Sequence, residues 1–113
     1  MNDKLTEVID YNDDTNIDDI LDKTEKYVLL YFTASWCGPC KRMAPIIKEK
    51  FTKINNLDIY KIDIDDNDSI SSKYDIKSVP TFILIKGKQV KMRFSGSDPI
   101  KLLKNIQDIF NIN

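Results

Sequence analysis

The sequence predicts an α/β fold, a mixed central β-sheet with helices on both faces, in the order βαβαβαββα. Two patterns and a length predict it. Short runs rich in β-branched and aromatic residues alternate with stretches whose apolar residues recur at helical spacing. The last two strand-like runs are joined by a short turn holding Gly87, which makes them a hairpin closing the sheet. The 113 residues are enough for one domain, spanning 1–113, and not two. At that size about two thirds of the unfolded chain's surface can be buried, so a core forms without structural metals or disulfides.

Each element follows from its residues. Leu5 to Tyr11 reads as a short first strand. Asp13 or Asp14 is expected to cap a helix carrying Ile17, Ile20 and Leu21. Tyr27 to Thr33 is an apolar run too short for an ordinary helix, hence a strand buried on both faces. Met43, Ile46, Ile47, Phe51 and Ile54 recur at helical spacing among charged residues, which predicts an amphipathic helix from Cys37 to about Asn55. Pro45 lies inside it and removes one backbone hydrogen bond, so a bend is expected. Leu57 to Ile64 alternates as a strand, and Ile70 and Tyr74 mark a short helix. Thr81 to Lys86 is a buried strand. Val90, Met92 and Phe94 alternate with Lys91, Arg93 and Ser95 as a half-exposed one. Asp98 caps and Pro99 opens a last helix, with Leu102, Leu103, Ile106, Ile109 and Phe110 on its buried face.

Cys37 and Cys40 are the only cysteines, in Trp36-Cys37-Gly38-Pro39-Cys40, where a strand hands over to a helix. Pro39 falls in the first turn, where its missing N–H costs nothing. A thiolate at a helix N-terminus meets unpaired N–H groups and the positive end of the helix dipole, which lowers its pKa and raises its reactivity. Cys37 is therefore expected to be the more exposed and more acidic thiol. Cys40, one turn inside, is placed to attack a mixed disulfide formed at Cys37. Zinc wants four ligands, and the chain has no second cysteine pair and no histidine. A permanent staple closing so short a loop gains little. Inert buried cysteines remain open on spacing alone, but the helix-start position and the Gly38-Pro39 spacer argue against them.

Composition excludes several classes. Net charge is −1, with 31% charged residues of both signs interspersed, which is no footprint for nucleic acid. No segment approaches the length of a membrane span. The N-terminal residues are polar and read as neither signal nor transit peptide, and Phe110-Asn111-Ile112-Asn113 is no retention signal. A cytoplasmic protein is expected, in which a cysteine pair is catalytic more often than structural. Asn67-Asp68-Ser69 fits a glycosylation sequon that would go unmodified there. Asp63 to Ser69 resembles the start of a calcium loop but has Asp68 at position six and Tyr74 at position twelve, so it reads as a solvated turn and helix cap. Lys41-Arg42 reads as a solvated helix face that could assist a thiolate or an acidic partner. No glycine-rich dinucleotide fingerprint is present, so no cofactor is expected.

Phe32 to Pro45, with Trp36-Cys37-Gly38-Pro39-Cys40 at its centre, resembles the active-site segment of the thioredoxin family. Val79-Pro80-Thr81 resembles that family's cis-proline loop, and Gly87 and Gly96 follow at compatible spacing, so the likeness runs from about Val8 to Phe110. The resemblance implies the thioredoxin fold and a redox carrier that reduces disulfide-containing proteins through Cys37 and Cys40. It implies recharging by an NADPH-dependent thioredoxin reductase, and a monomer is expected. It implies a cis Val79–Pro80 bond, with Val79 offering its backbone to an extended substrate. Trp36, Val79, Pro80 and Gly96 become substrate-binding residues, in an apolar patch with Gly38 and Pro39. Gly38-Pro39 looks like the spacer of the reducing members. Tyr31 departs from the pattern, because many members carry a buried aspartate there with a lysine nearby, here Lys61. A phenol with a pKa near 10 is a poor base at neutral pH. Gly38, Pro39, Tyr31 and Lys61 are thus the expected redox-tuning residues, although Tyr31 reads equally as plain core. The rival to a redox carrier is a non-catalytic subunit that binds through the Trp36 and Pro80 surface.

Overall fold

A computed structural model describes residues 7–112. Its elements run β1 (Val8–Asp10), α1 (Ile17–Lys23), β2 (Tyr27–Thr33), α2 (Gly38–Lys50), a 3-10 turn (Phe51–Lys53), β3 (Leu57–Asp63), α3 (Asp68–Lys73), β4 (Thr81–Lys86), β5 (Gln89–Ser95) and α4 (Pro99–Ile112). This is the expected order. The five strands lie β1-β3-β2-β4-β5. β1, β3 and β2 are parallel, β4 runs antiparallel to β2, and β5 antiparallel to β4.

β2 is the central strand, and all seven of its residues are buried. Tyr27, Leu29 and Tyr31 face Met43 and Ile47 of α2 and Leu102 and Ile106 of α4. Val28, Leu30 and Phe32 face Ile17 and Leu21 of α1 and Ile70 of α3. A strand buried on both faces has no polar alternation, which is why its bounds were legible as one apolar run. β5 is the sheet edge and keeps most of its side chains in solvent. Gly87, at φ 63°, supplies the left-handed residue in the turn between β4 and β5.

Several boundaries differ from the reading above. β1 begins at Val8, and of its expected residues Leu5 and Thr6 lie outside the described residues. The cap of α1 is Asn16, whose side chain accepts from the Asp18 amide at 2.8 Å, and not Asp13 or Asp14. Asp13 caps a different helix: its Oδ2 accepts from Ser69 N in the first turn of α3 at 3.0 Å. Asn67, the residue before α3, gives its own side chain to the same junction. Its Oδ1 accepts from Asp13 N and its Nδ2 donates to Asp63 O, both at 2.9 Å. α2 ends at Lys50 rather than Asn55, because the Thr52 hydroxyl takes the Lys48 carbonyl and the last turn tightens to 3-10 geometry. β3 stops at Asp63, where the Asp66 amide turns back to the Asp63 carbonyl. Asp98 does cap α4, accepting from Lys101 N at 3.1 Å.

Candidate active site

The site forms where the C-terminal ends of β2 and β3 meet the start of α2. Cys37 is the N-cap of α2, in extended conformation, and its Sγ accepts from the Cys40 amide at 3.1 Å. Cys37 and Cys40 are joined in a disulfide. A sulfur at this position faces the donor and the dipole end that stabilise a thiolate once the bond is reduced. Cys37 is the more exposed of the two, as expected, but both are buried: Cys37 is 4% exposed and Cys40 1%. Ala34, Ile64 and Val79 pack around the pair and cover it, contacts that motif spacing does not reveal.

The structure brings together the sequence-selected residues around that pair. Val79–Pro80 is a cis bond. The Val79 carbonyl oxygen lies 3.9 Å from Cys37 Sγ. Gly96 N donates to Pro80 O at 3.0 Å, which ties the β5 end to the proline loop. Pro80 itself is buried, so of the expected apolar patch it forms the support and not the surface. Pro39 and Gly96 are exposed, and Gly38 and Val79 are partly so. Lys41 and Arg42 are exposed, as expected of a solvated helix face, and the Arg42 guanidinium extends past Gly38.

Trp36 is 65% exposed, yet it is held. Its Nε1 donates to Asp65 Oδ2 at 2.9 Å. Asp65 belongs to the aspartate-rich turn that the sequence presents only as a solvated loop, and its pairing with an indole 29 positions earlier leaves no local signal. Within that turn Asp63 Oδ1 accepts from Asp65 N at 2.9 Å.

Tyr31 sits beneath the second cysteine. It is buried, stacks on Phe82 with ring centroids 5.0 Å apart, and donates its hydroxyl to the Cys40 carbonyl at 3.2 Å. Burial pushes the phenol above its ordinary pKa, partly offset by a hydrogen bond with Thr33. Lys61 is the register partner of Tyr31 across β2 and β3, and its side chain is exposed. Tyr31, Cys40 and Lys61 share a cavity of about 350 Å³ with Thr33 and Asp63. Neither Thr33 nor Asp63 was selected from the sequence, although strand alternation puts Thr33 on the face of Tyr31, and Asp63 on that of Lys61.

The sequence matches the family model described as Thioredoxin over residues 8–108. It is 37% identical over 100 residues to Thioredoxin Y, chloroplastic, of Oryza sativa subsp. japonica, covering 87% of this chain and 60% of that protein. It is 35% identical over 86 residues to Thioredoxin H2-1 of the same organism, covering 76% of this chain and 62% of that protein. The chain thus spans less than two thirds of the length of either relative. Among solved structures, thioredoxin from Trypanosoma brucei brucei aligns with a TM-score of 0.87 at 26% identity, covering 98% of this chain and 97% of that one. The short form of thioredoxin F from spinach chloroplast gives 0.83 at 31% identity, covering 96% and 97%.

Proposed function

Because the chain belongs to the thioredoxin family, we propose that it is a thiol-disulfide oxidoreductase that reduces disulfides in partner proteins through Cys37 and Cys40. The observation that carries this is the cysteine pair itself, disulfide-bonded at the start of α2 with Cys37 Sγ on the Cys40 amide. In the reduced protein the Cys37 thiolate attacks a partner's disulfide and displaces one sulfur. Cys40 then attacks Cys37 Sγ, remakes the Cys37–Cys40 bond and releases the second sulfur of the partner as thiolate. Two electrons leave the chain in each cycle, and an NADPH-dependent thioredoxin reductase is the proposed source that restores them. The exposed Trp36 ring and the Val79 backbone beside Cys37 support docking of an extended segment over the disulfide.

The reaction needs one cysteine pair and no residue from a second copy, so a monomer of one domain is the proposed working form. Among the described residues no helix is long and apolar enough to cross a membrane. We assign the cytoplasm as the compartment, because its reducing poise is where a lone vicinal pair cycles instead of persisting as a bridge.

The test is reduction of insulin disulfides with dithiothreitol as electron source, comparing wild type with Cys37→Ser. Wild type should accelerate insulin precipitation well beyond dithiothreitol alone, and Cys37→Ser should not. A wild type that adds nothing to dithiothreitol would leave only a binding role for the Trp36 surface.

A further inference from the structure

The geometry points to Asp63 as the group that accepts the proton of Cys40, through an intervening water, when Cys40 resolves the mixed disulfide. This rests on the oxidoreductase reading above. Resolution requires Cys40 as a thiolate, because the thiol is not the nucleophile. Cys40 is buried, and a thiol in such surroundings resists ionisation. The chain has no histidine. Tyr31, which reaches Cys40 from β2, already donates its hydroxyl to the Cys40 carbonyl. Burial keeps that phenol protonated, so it cannot also receive a proton.

The cavity behind Cys40 supplies the alternative. Asp63 is the one carboxylate among its lining residues. Thr33 and Asp63 are register partners at the ends of β2 and β3. Strand alternation directs both toward the α2 side of the sheet, as it does Tyr31 and Lys61. The cavity's volume of about 350 Å³ far exceeds the ~30 Å³ share of one water, and the Thr33 and Tyr31 hydroxyls offer such a water further partners. The Asp65 amide fixes Oδ1 of Asp63, which leaves Oδ2 as the acceptor.

The step balances as follows. The Cys40 thiol gives its proton to water as that water gives one to Asp63. The Cys40 thiolate forms a bond to Cys37 Sγ, and the bond from Cys37 Sγ to the partner's sulfur breaks. The departing thiolate takes up a proton from Asp63 or from solvent. The cysteine pair is oxidised by two electrons and the partner's disulfide is reduced by two. Other charged or titratable groups facing Asp63 are Lys61 on its own strand, Tyr31 on β2, Lys41 on α2, Asp66 in the following turn, and Asp10 and Tyr11 at β1.

The experiment mixes reduced protein with an aromatic disulfide that releases one coloured thiolate on Cys37 attack and a second on Cys40 resolution. Asp63→Asn keeps the Oδ1 acceptor for Asp65 and removes the base. A few per cent of an ordinary thiol is ionised at pH 7 and less of a buried one, which leaves room for a base to contribute about tenfold or more. The concentration-independent second release should therefore slow about tenfold at pH 7, and the gap should narrow as alkali ionises Cys40 directly. The first release should keep its rate. Imidazole in the buffer should restore the second release in Asp63→Asn and leave wild type unchanged, a rescue that a structural role would not give. Asp63→Glu, which keeps the carboxylate, should retain the wild-type pH profile at a reduced rate. An Asp63→Asn protein with the wild-type second release at every pH would overturn the assignment while leaving the redox reading intact. A wild type that gives neither release would remove the redox reading first.

Discussion

Tyr31→Phe separates what the hydroxyl of Tyr31 does from what its ring does. Phenylalanine keeps the stack on Phe82 and the buried volume, and deletes the hydroxyl with its contact to Thr33 and its hydrogen bond to the Cys40 carbonyl. At 3.2 Å that bond is longer than the 2.5–3.0 Å usual for a hydroxyl donor. The loss at pH 7 should accordingly fall at the low end for a neutral hydrogen bond, about 0.5 kcal/mol. The sign changes in alkali. Burial raises the folded-state pKa of Tyr31 above its unfolded value, so its contribution is whole below about pH 10 and is lost as pH rises toward the folded pKa. One unit above the unfolded pKa, a chain that ionises only when unfolded gives up about 1.4 kcal/mol per such group, an upper limit here. Tyr11, Tyr60 and Tyr74 are raised by burial as well, but both proteins carry them and they cancel in the difference. Wild type should thus be more stable by about 0.5 kcal/mol at pH 7 and less stable by up to ~0.9 kcal/mol at pH 11. The assay is urea unfolding of the oxidised proteins by far-UV circular dichroism at both pH values. Stability curves that run parallel between pH 7 and 11 would refute the claim that the fold holds this phenol protonated.

Cys40→Ser should accumulate covalent adducts with proteins of a lysate that vanish with dithiothreitol, since Cys37 still attacks and nothing in the chain resolves the product. If Cys37→Ser captured the same proteins equally well, the order of attack would be reversed. Asn67→Ala should cost about 2 kcal/mol, because the residue is buried and the Asp13 amide is left without its acceptor, while the Asp63 carbonyl keeps the Asp66 amide. Thermal unfolding should show this as a drop of about 8 °C, and a change under 2 °C would mean that water replaces the side chain without loss.

Local chemistry made some parts of this fold readable. β2 and β4 were bounded to the residue, because strands buried on both faces are apolar runs, which here give out at Thr33 and at Lys86. Asp98 before Pro99 marked the start of α4 for the same local reason. The start of α1 was not readable. Asn12, Asp13, Asp14, Thr15 and Asn16 are all competent caps, and the choice among them depends on Asn67 and Ser69, more than fifty positions away. The end of α2 misled because helical spacing survives into the 3-10 turn, where Phe51 stays in the core. At the site, the cysteines, Trp36 and the cis Val79–Pro80 bond were legible as a motif. The burial of Cys37 and the Trp36–Asp65 bond were not, since each is made by segments that meet only in the folded chain.

Tyr31 shows how strand geometry limits where a base can stand. A carboxylate at that position would be buried, and desolvation would disfavour its charged form. The aromatic ring instead fills the space and stacks on Phe82. Side chains on one face recur every two residues, so the next places looking toward α2 are Thr33 on β2 and Asp63 on β3. These lie where both strands run out into loops, and Asp63 is partly exposed. There the Asp63 carboxylate stands at the end of the sheet and still lines the cavity that reaches Cys40. Moving the carboxylate one strand repeat toward solvent leaves the space beneath the second cysteine to the Tyr31 ring and its stack on Phe82.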